Sequence, residues 1–271
     1  MERMPDSAGD RRLDAELAAR GLSRSRTHAA ALITAGVVTV DGAPVVKPSA
    51  RVRSDQVIEV AEANHYVSRA AHKLIAALDG FAVDPAGRLA LDLGASTGGF
   101  TQVLLERGAR RVIALDVGHD QLDRSLRPDP RVLAVDGVNV RYLTAPQLTE
   151  LSGSPERPSL VVGDLSFISL SHVIPAIVEV AEPGADIVLL VKPQFEVGRG
   201  GVREGIVRDA GLRDEAVTGV LWSAWDAGLR TLGVLPSPLP GSHGNREYLV
   251  HLSTDRGSDP SEWSAAVSAI A

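Results

Sequence analysis

Leu89-Ala90-Leu91-Asp92-Leu93-Gly94-Ala95-Ser96-Thr97-Gly98-Gly99-Phe100 runs from a strand-like apolar stretch through a glycine-bearing turn into a helical pattern. A strand that ends in an acid and is followed by glycines opening a helix brings backbone N–H groups against a nucleotide-like ligand. The spacing narrows the ligand. Dinucleotide enzymes use G-x-G-x-x-G, whereas here the order is Gly94-x-x-x-Gly98-Gly99, with Asp92 two residues before the first glycine. With no diphosphate to cradle, a methionine-bearing nucleoside needs an acid near its amino group and room for its carboxylate and sulfonium. The expected cofactor is therefore S-adenosylmethionine, held by Asp92, Gly94, Ala95, Ser96, Thr97, Gly98, Gly99 and Phe100.

Outward from this turn, strand-like runs alternate with helical ones: Leu89–Leu93, Arg111–Val117, Val132–Asp136, Leu160–Asp164, Asp186–Lys192, Thr231–Leu235 and Glu247–Leu252. Such alternation predicts an α/β fold, a Rossmann-like, mostly parallel sheet of seven strands with helices on both faces. Pro236-Ser237-Pro238-Leu239-Pro240-Gly241 leaves no room for a helix between the last two runs, so these are expected to pair antiparallel. Asp116 ends the second strand, placed to accept both hydroxyls of an adenosine ribose, and Asp136 ends the third, placed to read the adenine amino group. Their neighbours Val117 and Gly137 are expected as further cofactor contacts. An acid at a strand end also serves simply to cap the next helix, so it is the convergence of three at one sheet edge that points to the ligand.

Two more strand ends carry charge. Asp164 closes the fourth strand and Lys192 the fifth, and the fold can bring Lys73 and Glu247 to the same rim. A lysine closing a buried apolar strand is costly unless paired. The cluster suits activation of a ribose hydroxyl, a poor nucleophile whose proton must be removed or whose alkoxide must be stabilised. Lys192 serves either need, as neutral base or as cation, and the sequence leaves that choice open. The alternative is a structural ion pair of Lys192 with Asp164, and solvated charges at Lys73 and Glu247. Amino-directed base methylation commonly shows Asn/Asp-Pro-Pro-Tyr/Phe after the fourth strand, where this chain has Asp164-Leu165-Ser166-Phe167, and carbon-5 chemistry needs a cysteine. Oxygen is the better acceptor.

The chain has 271 residues, 44% of them hydrophobic, enough for one large and one small domain. It has no cysteine, which excludes disulfides, thiolate metal sites and thiol nucleophiles, and no metal is expected. There is no run of 18 apolar residues and Met1-Glu2-Arg3-Met4-Pro5-Asp6 lacks the order of a secretory signal, so a cytoplasmic location without membrane contact is expected. The net charge is -6, but residues 1–60 hold nine Lys/Arg against eight Asp/Glu. Within them Leu13, Leu17 and Leu22, then Ala29, Leu32 and Ile33, keep helical spacing, and Val37-Val38-Thr39-Val40-Asp41-Gly42 and Val57-Ile58-Glu59-Val60 read as strands. Residues 11–63 are read as a small α+β domain after a 1–10 extension. A linker follows at 64–68, then the large domain at 69–253 and a tail at 254–271.

With these residues in place the chain resembles the TlyA family, which joins an S4 RNA-binding domain to an FtsJ-like (RrmJ-like) methyltransferase domain. The resemblance rests on Leu91 through Thr101, Asp116-Val117-Gly118 with Gln121-Leu122, Asp164-Leu165-Ser166-Phe167-Ile168-Ser169-Leu170, Val191-Lys192-Pro193-Gln194-Phe195-Glu196, and Gly244-Asn245-x-Glu247-Tyr248. It implies that Lys73, Asp164, Lys192 and Glu247 are the catalytic tetrad, that Asp164 also adjoins the cofactor, and that the substrate is cytidine 2′-hydroxyl in 16S and/or 23S ribosomal RNA within ribosomal subunits. A monomer is expected. Arg11, Arg12, Arg24, Arg26 and Lys47 are the expected RNA contacts, positioning through phosphate. The chain departs from the family pattern at Ser68-Arg69-Ala70-Ala71, where relatives carry glycine, and at Asn64-His65-Tyr66-Val67, where some carry Arg-x-Trp-Val. The competing readings are a non-catalytic RNA-binding assembly protein, a membrane-lytic haemolysin, an S4-bearing pseudouridine synthase suggested by Arg12-Leu13-Asp14, and a nicotinamide oxidoreductase.

Overall fold

The structure, a computed structural model, describes residues 11–23, 25–34, 36–60, 65–198, 204–241 and 244–271. The expected 1–10 extension, Arg24 and position 64 of the linker lie outside the described residues. The contacts divide the chain into two units between His65 and Tyr66.

The first unit runs β1 (Arg11–Arg12), α1 (Leu13–Ala19), α2 (Arg26–Thr34), β2 (Val38–Val40), β3 (Ala43–Pro44), β4 (Arg51–Val52) and β5 (Ile58–Val60). Leu13 and Leu17 lie one turn apart on α1, and Ala29, Leu32 and Ile33 line one side of α2; these stripes close on Val38, Val40, Val52 and Ile58. Asp41 and Gly42 both take positive φ, as a two-residue hairpin of this hand requires, and β2 pairs β3 through them. Strands β1 and β4 form a separate two-residue antiparallel pair.

The second unit runs α3 (Ala71–Phe81), β6 (Leu89–Leu93), α4 (Gly99–Glu106), β7 (Arg111–Leu115), β8 (Val132–Val135), α5 (Ala145–Ser152), β9 (Leu160–Gly163), α6 (Ile174–Val180), β10 (Asp186–Val191), α7 (Pro193–Glu196), α8 (Ala210–Asp226), β11 (Arg230–Pro236), β12 (Tyr248–Ser253) and α9 (Ser264–Ile270). Its sheet has the order β11-β12-β10-β9-β6-β7-β8, and β12 runs antiparallel to both neighbours. Alternate strand residues serve opposite faces. Leu91, Ile113, Val161, Leu189 and Val250 join α5, α6, α8 and Val267 of α9 in one core, so the 254–271 tail is packed into this unit. Ala90, Val112, Val162 and Leu190 join α3 and α4 in the other.

Parallel pairing brings the C-terminal ends of β6, β7, β9 and β10 to one edge, with Leu93 opposite both Leu115 and Gly163. The reversed β12 delivers its first residue to that same edge, Tyr248 lying opposite Val191. Asp116, Asp136, Asp164 and Lys192 therefore each sit one residue past their strands, and Glu247 one residue before its own. Among the described residues no helix is long and apolar enough to cross a membrane.

Candidate active site

The glycine turn between β6 and α4 hangs on the end of β7: the N–H groups of Gly94 and Ala95 both donate to the Leu115 carbonyl, and the Ser96 N–H donates to Asp116 Oδ2 at 2.8 Å. Its two central glycines are required by both conformation and space. Gly94 has φ +78°, and a Cβ there would lie 3.2 Å from the Asp164 carbonyl oxygen. Gly98 has φ +97°, and a Cβ there would fall 2.4 Å from Leu126 Cδ1. The bare backbone at Gly94 forms a cradle that a side chain would fill. Asp92 is fully buried beneath the turn; its Oδ2 accepts from the Thr101 hydroxyl at 2.7 Å while Oδ1 has no partner. Burial, reinforced by the charges of Asp164 and Asp116, pushes its carboxyl up to about 7 against the opposing Thr101 hydrogen bond.

Lys192 Nζ lies 2.6 Å from Asp164 Oδ1 and donates to Ser166 Oγ at 2.8 Å. Lys73, on α3, pairs with Glu247, and both side chains are buried. All four line one cavity of about 220 Å³, together with Gly94, Ala95, Ser96, Thr97, Gly99 and Phe100 of the turn. A larger cavity of about 770 Å³ shares Gly94, Ser96, Asp164 and Ser166 with the first and continues along Asp116 and Val117. The charged cluster and the glycine turn are thus two walls of one space.

Other expected residues are placed differently. Gly98 and Asp92 line neither cavity, the one shaping the turn and the other lying under it. The Asp136 carboxylate accepts from the Asp120 N–H at 3.1 Å and from Arg127 at 3.2 Å, and the first of these chiefly holds it below the usual carboxylate range. It does not line either cavity, nor does Gly137, which has positive φ and packs under His119; Val138 and Asn139 do line the larger one. Ser166, Ser68 and Arg69 also line the smaller cavity, although they are not among the site residues expected from sequence. The signal for Ser166 is its place two residues after Asp164 on the same loop. Gly241 carried no signal beyond a turn, yet a Cβ there would meet Glu247 Oε1 at 2.4 Å.

In the first unit two buried acids organise the arginines. Asp14 accepts from Nε and Nη2 of Arg12 at 3.1 and 2.9 Å and pairs with Arg26 at 3.2 Å, and the Arg12 bond chiefly brings its carboxyl down to about 2. Glu16 takes Arg20 at 2.8 Å and Arg11 at 3.6 Å. Arg11 and Arg26 remain 69% and 59% exposed at the side chain, and Lys47 is exposed. Among the described residues no group of His, Cys, Asp or Glu is arranged to hold a metal ion.

The S4 domain model matches residues 11–58, and the model of FtsJ-like methyltransferases matches residues 66–254. The chain is 52% identical over 246 residues to 16S/23S rRNA (cytidine-2′-O)-methyltransferase TlyA of Mycobacterium tuberculosis, covering 90% of each chain. It is 39% identical to Hemolysin A of Brachyspira hyodysenteriae, over 89% of this chain and 98% of that one. A solved structure titled as a haemolysin from Streptococcus thermophilus superposes with a TM-score of 0.75 at 35% identity, covering 97% of this chain and 95% of the other. The chain therefore belongs to the FtsJ-like methyltransferase family, in the branch that carries an N-terminal S4 domain.

Proposed function

We propose that this protein is an S-adenosylmethionine-dependent 2′-O-methyltransferase that modifies cytidine ribose in ribosomal RNA, 16S and/or 23S, within ribosomal subunits in the cytoplasm. The observation that carries the reading is the meeting of the Lys192–Asp164 and Lys73–Glu247 pairs in a cavity walled by the glycine turn. Hydroxyl methylation needs those parts together and a non-catalytic assembly protein needs none of them.

When bound, S-adenosylmethionine supplies a methyl group on a positively charged sulfur. Gly94 leaves backbone open to it, Asp116 and Val117 border the larger cavity where a ribose would lie, and Asp92 sits beneath the turn. A ribose hydroxyl is a weak nucleophile at neutral pH. Lys192 Nζ is the group that meets it: as an amine it takes the proton, and as an ammonium it holds the developing negative oxygen while the hydroxyl proton passes to water. Asp164 and Ser166 fix Nζ between β9 and β10. Lys73 and Glu247 neutralise each other in the same cavity, keeping a second charged pair in place without adding net charge.

RNA is held through phosphate by the arginines arrayed on Asp14 and Glu16 together with Lys47, and structured RNA offers shape rather than base edges to such contacts. The target nucleotide must leave its stack to reach Lys192. Incubation of the purified chain with methyl-labelled S-adenosylmethionine and unmodified 30S or 50S subunits, followed by mapping of 2′-O-methyl sites, tests the proposal. Label at a cytidine ribose is expected. Incorporation into neither subunit rejects the enzymatic reading, and incorporation on a base rejects the ribose assignment.

A further inference from the structure

We infer that Arg213 is a remote positioning residue for the methyl-transfer step, acting on Glu247 through the Gly205–Arg208 segment and Asn245. The inference rests on the tetrad reading above and adds to it a residue on α8. The Arg213 guanidinium donates in two directions. Nη1 bonds the carbonyl oxygens of Val207 at 3.3 Å and Arg208 at 2.7 Å, while Nε and Nη2 bond the main-chain oxygen of Ala271 at 2.9 and 2.7 Å. A planar guanidinium with donors on both edges ties two chain segments at a fixed separation.

The same Gly205–Arg208 segment is gripped again by Asn245. Its Nδ2 donates to the Gly205 carbonyl at 2.7 Å and its Oδ1 accepts from the Val207 N–H at 2.9 Å, and the residue is only 2% exposed. Both ends of a buried amide are thus committed to one segment, so a shift of that segment drags Asn245 or strands a polar group. The carbonyl of Asn245 in turn accepts from the Gly241 N–H at 2.8 Å. Gly241 is the wall against which the Glu247 carboxylate rests, because a Cβ there would lie 2.4 Å from Oε1. Arg213, Val207, Asn245, Gly241 and Glu247 therefore form an unbroken series of contacts that ends at the partner of Lys73. A buried carboxylate so confined changes direction when its wall moves, and small misplacements at a reacting centre cost rate rather than binding.

The test is a double-mutant cycle on the full chain: Arg213→Ala and Arg213→Lys, each with and without Glu247→Gln, with single-turnover methylation of ribosomal subunits and calorimetric cofactor Kd as readouts. Arg213→Ala is expected to slow transfer by about tenfold or more, with Arg213→Lys intermediate and cofactor Kd within about threefold of wild type. In the Glu247→Gln background the same change is expected to cost less than about twofold, since its route of action is gone. Equal fold losses in both backgrounds, or an unchanged rate, overturn the inference. If Arg213→Ala does not fold, the cycle with Arg213→Lys decides by the same criterion. The ¹³C carboxyl resonance of Glu247, assigned by Glu247→Gln, gives a readout independent of turnover. It is expected to move in the Arg213 variants, and an unmoved resonance overturns the inference. A wild-type chain that binds cofactor but methylates neither subunit defeats the proposed function instead, and the resonance still decides the role of Arg213.

Discussion

Lys192 Nζ bridges the ends of two neighbouring parallel strands, standing 2.6 Å from Asp164 Oδ1 with Ser166 Oγ as its second partner. Both residues line the cavity walled by the glycine turn, the position that the proposed transfer requires. Lys192→Ala is expected to lower the single-turnover rate by about 10²–10⁴-fold, the range of positioned proton transfer, while cofactor Kd changes little. Calorimetry and single-turnover labelling separate the two; lost cofactor binding would show that Lys192 holds the cofactor rather than the hydroxyl.

Lys73 and Glu247 are 4% and 3% exposed and meet across the unit. Removing one partner leaves a buried charge unpaired, which costs about 3–5 kcal/mol, whereas replacing both with apolar residues of similar volume is close to neutral. Urea unfolding of Lys73→Met, Glu247→Leu and the double variant is expected to show two destabilised singles and a double that recovers most of the loss. Additive losses in the double would show that the two side chains contribute independently and not as a pair. All three variants are expected to transfer the methyl group far more slowly than wild type.

At Gly98 a positive φ coincides with a filled space, the Cβ position lying 2.4 Å from Leu126 and 2.6 Å from Leu122. Gly98→Ala combines left-handed backbone with overpacking, and a loss of about 1–3 kcal/mol is expected. The same turn carries the Ser96 N–H to Asp116, so cofactor affinity is expected to fall as well, by about tenfold. An Ala variant with wild-type unfolding midpoint and Kd would show that this turn has slack.

Asp92 ties stability to pH. Its folded carboxyl is raised to about 7 from an ordinary value of 3.8, chiefly by burial. Between those limits the folded state binds more protons than the unfolded chain, so stability declines as pH rises from about 4 to about 7 and is level above that. Asp92→Asn removes the titration while its carbonyl keeps the Thr101 bond. Its advantage over wild type in unfolding midpoint is expected to grow from pH 5 to pH 7 and then stop growing; a constant difference across that range would contradict the assignment.

A second carboxylate works in the opposite sense. Burial alone would raise Asp186, but hydrogen bonds from His251, Arg88 and Arg256 outweigh it and hold its carboxyl far below the usual range. A depressed folded value means stability that is present above the unfolded value near 3.8 and is lost as pH falls below it. Asp186→Asn is expected to lower the unfolding midpoint at pH 7 and to converge with wild type in strong acid.

Much of the catalytic unit could be read from local patterns. The strand end at Leu93, the antiparallel final pair and the acids at successive C-termini follow from period and turn residues, whereas the second strand, expected to run to Val117, stops at Leu115. Lys192 and Asp164 were a readable pair because neighbouring parallel strands deliver their ends to one place. What sequence could not convey was where side chains find partners far along the chain. Asp136 stands at the expected strand end, but Arg127 and the Asp120 N–H take its carboxylate; Arg12 and Arg26 share Asp14; and the C-terminal tail folds back onto α8 through Val267 and the Arg213 fork.

The glycine turn, the succession of strands and helices along the chain and the residue types at the rim were determined by the sequence itself, since backbone conformation and hydrophobic period act over a few residues. The tertiary structure alone decided that Lys73 meets Glu247 across 174 positions, that Gly241 is the wall of that carboxylate, and that Asp92 lies sealed beneath the turn with one oxygen unpaired. Those are facts of burial and long-range contact, and burial depends on every element packed around a residue rather than on its neighbours in the chain.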